Sequence, residues 1–451
     1  MTLLHPDRLF PPDPRTRPIA RDLYRGIHDL PIFSPHGHCD PAWFAQDKPF
    51  SDPAALLIQP DHYVVRMLVS RGIPFEALGI GTAANPREVW RCFAAGYRLF
   101  AGTPSRLWLD HTFETLFALH EPLTAENADT HYDQIAECLA DPAFRPRALF
   151  QRFGIEMLAT TEGALDPLTH HAAIRNSVWR GNVVTTYRPD SICDPDHPDF
   201  LRDLNLLGQT TGCDTGDFPG YLDAHRKRRA AFRAMGAIAT DHGVPDAATL
   251  DLARPEAAAL YDRVRRDAAE PGDRAAFRAQ MMTEMARLSI EVGMVMQIHP
   301  GSRRNHSSAV MTRYGRDCGF DIPGPVNFVE GLRPLLNAVG HAPGLRIVIF
   351  TLDESTYARE LAPLAGAWPA LLLGPPWWFF DSPDSIRRWR EAVTETAGFH
   401  NTAGFNDDTR AFPSVPARHD MARRCDCAFL ADRVADHRRK RPAALVRVLR
   451  H

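Results

Sequence analysis

Two histidines one residue apart, His36 and His38, close the stretch "LPIFSPHGH". On an extended strand, residues two apart face the same side, so both imidazoles could reach one ion. Far along the chain, "NDDTR" sets Asp407 and Asp408 beside Arg410. Two neutral imidazoles and one carboxylate form an open three-ligand site for a borderline divalent cation such as zinc. His299, in "QIHPG", would be a fourth ligand or a hydrogen-bonding partner of a substrate. The bland alternative is that these groups only hydrate the ends of buried strands, which are polar in any case. Convergence in space separates the two readings.

Bringing such distant groups together takes parallel strands whose ends meet at one mouth. Eight short apolar or β-branched runs end in polar residues: 31–38, 156–163, 182–190, 236–243, 293–301, 345–353, 370–378 and 401–408. Helix-like stretches separate most of them, for example 271–292 and 355–367. This alternation predicts a (β/α)8 TIM barrel, in which chemistry sits at the C-terminal strand ends. Those ends carry Arg188 and Asp190, Asp241 and His242, His299 with Arg303, Arg304 and Asn305, Asp353, and finally Asp407, Asp408 and Arg410. Closure sets the eighth strand against the first and so brings Asp408 to His36 and His38. A bare barrel needs about 250 residues, which leaves roughly 200 for elaboration. Most of that excess lies between the first two runs, where 86–100 and 131–144 read as amphipathic helices. The expected organisation is an N-terminal segment and first strand over 1–42, a helical insertion over 43–150, and the rest of the barrel over 151–451.

A formal charge of −3, with 44% hydrophobic and 24% charged residues, describes an ordinary globular chain with no global basic field. Nucleic acid is therefore not an expected partner. The N-terminus has no apolar core of signal-peptide length and no later run approaches a membrane span, which predicts a cytoplasmic protein. Eight scattered cysteines without paired C-x-x-C knuckles read as thiols in a reducing compartment. "CDC" at 425–427 lacks a second pair and reads as structural.

The ordered blocks "HGHCDP", "PDHYVVRML", "ATTEG", "YRPD", "TDHG", "VMQIHPGSRRN", "GPPWWFFDS" and "NDDTRAF" resemble the uronate isomerase (glucuronate isomerase) family within the amidohydrolase superfamily. The likeness runs from "DRLFPPDP" to about residue 435. It implies a metal-containing barrel that interconverts D-glucuronate with D-fructuronate and D-galacturonate with D-tagaturonate. It further implies that His36, His38 and Asp408 hold the metal with His299 close by, and that His62 and Tyr63 reach in from the insertion. Arg188, Asp241, Arg304 and Arg410 would line the substrate site. Two departures stand out. Many members read H-C-H-L-x-P at the first block, although both histidines survive here. Relatives also continue through a longer helical C-terminal region, whereas this chain ends in the basic "HRRKRPAALVRVLRH".

An aldose–ketose isomerase moves a proton from C2 to C1 and redistributes another between O1 and O2, which demands a base, an acid and charge stabilisation. Tyr63 and Asp241 are expected to handle these protons, with His62 to orient them and Asp408 to share the transfer between oxygens. Asp241 ends a buried strand, so desolvation is expected to raise its pKa. A uronate's carboxylate suits the planar guanidinium of Arg188, Arg304 or Arg410. One ion is expected, zinc first among the candidates, because no lysine ends the fourth strand and no histidine the sixth. The alternatives are a metal-dependent hydrolase on the same barrel and a sugar-acid-binding protein without turnover. The preferred uronate, the base at C2 and the oligomeric state, a homo-oligomer included, stay open at this level.

Overall fold

The computed structural model describes residues 3–437. Its frame is a sheet of seven parallel strands: β1 (Ile32–Ser34), β2 (Ile155–Gly163), β3 (Val183–Arg188), β4 (Ala239–Val244), β5 (Val295–Pro300), β6 (Ile347–Ile349) and β7 (Leu371–Leu373). Each pairs with the next in chain order. The strands are covered on both faces, which is why they read as near-continuous apolar runs rather than alternating ones. Register fixes the mouth: Arg188 lies opposite Gly163, Asp241 opposite Gln297 and Gly243 opposite His299.

The eighth run is a correction to the expected strand. Residues 401–408 form no ladder; Thr402 makes a single bridge to Leu373, and the Ala403 N–H donates to the Leu373 carbonyl at 2.7 Å. At the other end the His38 N–H donates to the Thr409 carbonyl at 2.9 Å, so the segment still closes the ring onto β1. Between these contacts Asp408 turns to φ +45°, a left-handed conformation that ends extended pairing.

Among the described residues, every regular element between β1 and β2 is helical. Trp90, Phe93, Phe100 and Phe113 are fully buried there, and this aromatic core runs on into Ile155, Leu158 and Phe412 of the barrel. Helix α1 (Thr16–Arg25) packs its Ala20 and Leu23 against Phe429, Leu430 and Val434 near the end of the last described helix. No helix among the described residues is long and apolar enough to cross a membrane. The arginine-rich end from residue 438 onward lies outside the described residues.

Candidate active site

Pro35 and Gly37 break the chain just after β1 and carry His36 and His38 to the mouth. Their Nε2 atoms lie 3.6 Å and 3.1 Å from Asp408 Oδ1. The three side chains form a compact group able to hold a metal ion. Burial pushes His36 down to about 3, and lowers His38 as well, with Arg410 adding to the effect. Both rings are therefore neutral near pH 7, the ligand form of imidazole. Burial would raise the Asp408 carboxyl, but the His38 contact and the charge of Arg410 outweigh it and hold Asp408 well below the carboxylate range. Asp408 Oδ1 and His36 Nδ1 are buried without an aligned hydrogen-bond partner. Unsatisfied buried polar atoms are costly, and a divalent cation is the partner that neutral nitrogens and an ionised oxygen together fit. His299 is not one of this trio, but its ring centroid lies 4.7 Å from that of His36.

A second group, sharing His36, joins His36, Asp241 and His299. His299 Nδ1 lies 2.6 Å from Asp241 Oδ1, while His299 Nε2 is buried and unpartnered. Phe350 stacks on the His299 ring at 4.2 Å and 12°. The expectation for the Asp241 carboxyl is overturned here. Burial does oppose its ionisation, but Arg188 Nη1 at 3.1 Å and His299 outweigh burial and hold the pKa well below normal. Arg188 also donates from Nε to Asp190 Oδ2 at 2.7 Å, and the Gly243 N–H donates to Asp190 Oδ1 at 3.1 Å. A Cβ on Gly243 would stand 2.3 Å from Arg188 Nη2 and 2.9 Å from Asp190 Oδ2, so a side chain there would displace this ion pair.

The three arginines differ in commitment. Arg188 faces two carboxylates, and Arg304 donates to Asp321 at 2.9 Å while lying over the Trp378 ring. Arg410 is half-buried, lies near His38 and His62, and forms no ion pair among the described residues. His62 and Tyr63 open helix α2 (His62–Val69), which Asp61 caps by accepting the Tyr63 N–H at 2.9 Å. Their rings stack at 4.7 Å, and His62 Nε2 is buried without a partner. Burial, then the negative charge of Asp408, raises the Tyr63 phenol well above its usual range, so it stays protonated.

Other strand-end residues leave the site. His242 points to the outer side, where it contacts Thr240 Oγ1 at 3.0 Å. Asp407 turns to His419 at 2.9 Å, Asp353 caps its own turn through Ser355, and Arg303 sits exposed in a short ladder with Ile322. Trp377, not among the expected site residues, donates from Nε1 to Asp408 Oδ2 at 3.0 Å. Its one mark in the sequence is the tryptophan pair that ends the seventh run.

The sequence profile of the glucuronate isomerase family matches residues 15–448. A uronate isomerase of Rhizorhabdus wittichii is 60% identical over 434 residues, spanning 96% of this chain and 93% of that protein. Another from Mesorhizobium japonicum is 58% identical over 459 residues, spanning 100% and 98%. The crystal structure of glucuronate isomerase from Caulobacter crescentus superposes with a TM-score of 0.96 at 53% identity, covering 100% of this chain and 94% of that one.

Proposed function

The chain belongs to the glucuronate isomerase family of the amidohydrolase superfamily, and from that premise we propose that it interconverts D-glucuronate with D-fructuronate. The same geometry serves D-galacturonate and D-tagaturonate, which differ from that pair at one hydroxyl. The observation that carries this reading is the meeting of His36, His38 and Asp408 around the unpartnered Asp408 Oδ1, beside an arginine with no ion pair among the described residues. His36, His38 and Asp408 hold one divalent ion, zinc by preference for this donor set. When bound, the ion supplies electrophilic stabilisation of negative charge on the substrate oxygens.

The chain's own groups do the rest. Arg410, without an ion pair among the described residues, takes the uronate carboxylate. Arg188 and Arg304, already tethered, line the pocket and orient hydroxyls. Asp241 and His299 act as a unit: the carboxylate fixes the tautomer with a proton on Nδ1, leaving Nε2 as an acceptor facing the pocket. This pair abstracts the C2 proton to give an enediolate and returns a proton to C1. Tyr63, protonated and beside Asp408, hands a proton between O1 and O2, with His62 orienting it. Residues 43–150 act as the insertion that delivers His62 and Tyr63 to a barrel built, among the described residues, from 3–42 and 151–437, in a cytoplasmic enzyme.

Elemental analysis tests the metal. His36→Ala and His38→Ala are each expected to lose most bound zinc relative to wild type. Full occupancy in both variants would contradict this ligand set.

A further inference from the structure

Three of the segments around the mouth are distant in sequence: helix α2 with His62 and Tyr63, the turn with Asp407 and Asp408, and the loop after β7 with Trp377 and Asp381. One side chain joins them. Arg418 lies in the first turns of helix α3 (Val415–Ala435) and is 1% exposed. Its Nη1 donates to Asp381 Oδ2 at 3.0 Å and to the main-chain carbonyl of Asp407 at 3.1 Å, and its Nε to Ser414 Oγ at 3.3 Å. The guanidinium lies 3.6 Å over the Trp108 ring and 5.8 Å from the Tyr63 ring centroid. Asp61, the cap of α2, adds its charge from the insertion side.

A guanidinium taken out of water needs fully paired surroundings, and apolar residues of the same volume would stabilise a core as well. The placement of these bonds is therefore informative. The Asp407 carbonyl belongs to the peptide that enters Asp408, whose φ of +45° is unusual for a residue with a side chain. The Asp407 carboxylate is held separately by His419 at 2.9 Å. The peptide plane ahead of Asp408 is thus pinned from helix α3, while the same guanidinium packs beneath the Tyr63 ring.

We propose that Arg418 is a positioning residue, which sets the Asp408 carboxylate against His36 and His38 and fixes its distance from Tyr63. It touches neither the ion nor the substrate. The inference rests on the metal and proton-transfer reading above, and its test separates the two. Zinc affinity is measured by chelator competition, beside kcat and KM for glucuronate, in wild type, Arg418→Lys and Asp381→Asn. Arg229→Lys serves as control: Arg229 is fully buried, but its bonds go to Ser289 and Met285, away from the mouth.

Lysine cannot span the Asp381 and Asp407 acceptors with one planar fork. Arg418→Lys is expected to bind zinc about ten- to a hundredfold more weakly, the usual effect of losing an outer support of a ligand. Its kcat should fall by about tenfold or more while KM stays within about threefold, because Arg410 is left in place. Asp381→Asn should move both readouts the same way by less, and Arg229→Lys should change neither even where it lowers Tm. A folded Arg418→Lys with wild-type zinc affinity and kcat would overturn the proposal. If that variant fails to fold, wild-type values in Asp381→Asn would overturn it instead. Absence of zinc affinity in wild type would contradict the metal reading, and the kcat-against-KM split would then decide the role of Arg418.

Discussion

At the level of single residues, the site turns on which charges are already spent. Arg188 and Arg304 are spent on Asp190, Asp241 and Asp321, whereas Arg410 has no ion pair among the described residues. Arg410→Lys, which keeps the charge but loses two-point recognition, is expected to cost about 1–3 kcal/mol of uronate binding. Steady-state kinetics should show this as a raised KM, larger than for Arg304→Lys; an unchanged KM would move the carboxylate elsewhere. Proton handling sorts differently. Asp241→Asn removes the negative charge that pairs with His299 and Arg188, and Tyr63→Phe removes the phenol, so each should lower kcat by roughly a hundredfold or more with zinc retained. Losses below tenfold in both would place the chemistry on other groups. The residue types were legible because histidine spacing and paired aspartates are local signals. The depressed pKa of Asp241 was not, since it depends on Arg188 and His299, which only the fold brings within reach.

Among the elements, seven of the expected runs are strands and the eighth is a bridged segment. Apolar content predicted that run as well as the others, but hydrogen-bond pairing depends on neighbours, and Asp408 must leave extended geometry to face His36 and His38. A second cluster, between β2, β3 and a helix outside the barrel, offers a test of buried titration away from the chemistry. Glu162 is buried, accepts from the Thr185 hydroxyl and lies 3.7 Å from His171 Nε2. Burial pushes its carboxyl up from 4.5 to about 7, against the Thr185 and Thr160 hydrogen bonds. A carboxyl whose folded pKa is raised stabilises the fold below its unfolded pKa, and this contribution is lost as pH rises through the folded one. Burial lowers His171 to about 4, which works in the opposite sense, but that contribution is common to wild type and a Glu162 variant. Glu162→Gln cannot ionise and should gain on wild type, by up to about 3 kcal/mol, as pH rises from about 4.5 to 7.5. Denaturant unfolding at both ends of this window would show it; a constant difference would mean that the Glu162 pKa does not change on folding.

For the molecule as a whole, closure of the ring makes a mouth from both ends of the chain. The His38–Thr409 hydrogen bond ties β1 to the closing segment, and α1 packs on the last described helix. The barrel class was readable because eight runs alternate with helices, and the helices between the first two strands because helical periodicity fills the gap after the first run. The supports of the site were less readable. Arg418 meets Asp381 and Asp407 across 37 and 11 residues from a helix that follows the last strand, and no short motif marks such a contact. The central claim is proton-transfer isomerisation of a uronate at this mouth, and NMR of the zinc-loaded enzyme with ordinary glucuronate in deuterated water tests it most directly. The account predicts conversion to fructuronate with solvent deuterium at C1. Glucuronate recovered unchanged by folded, zinc-loaded protein would contradict it.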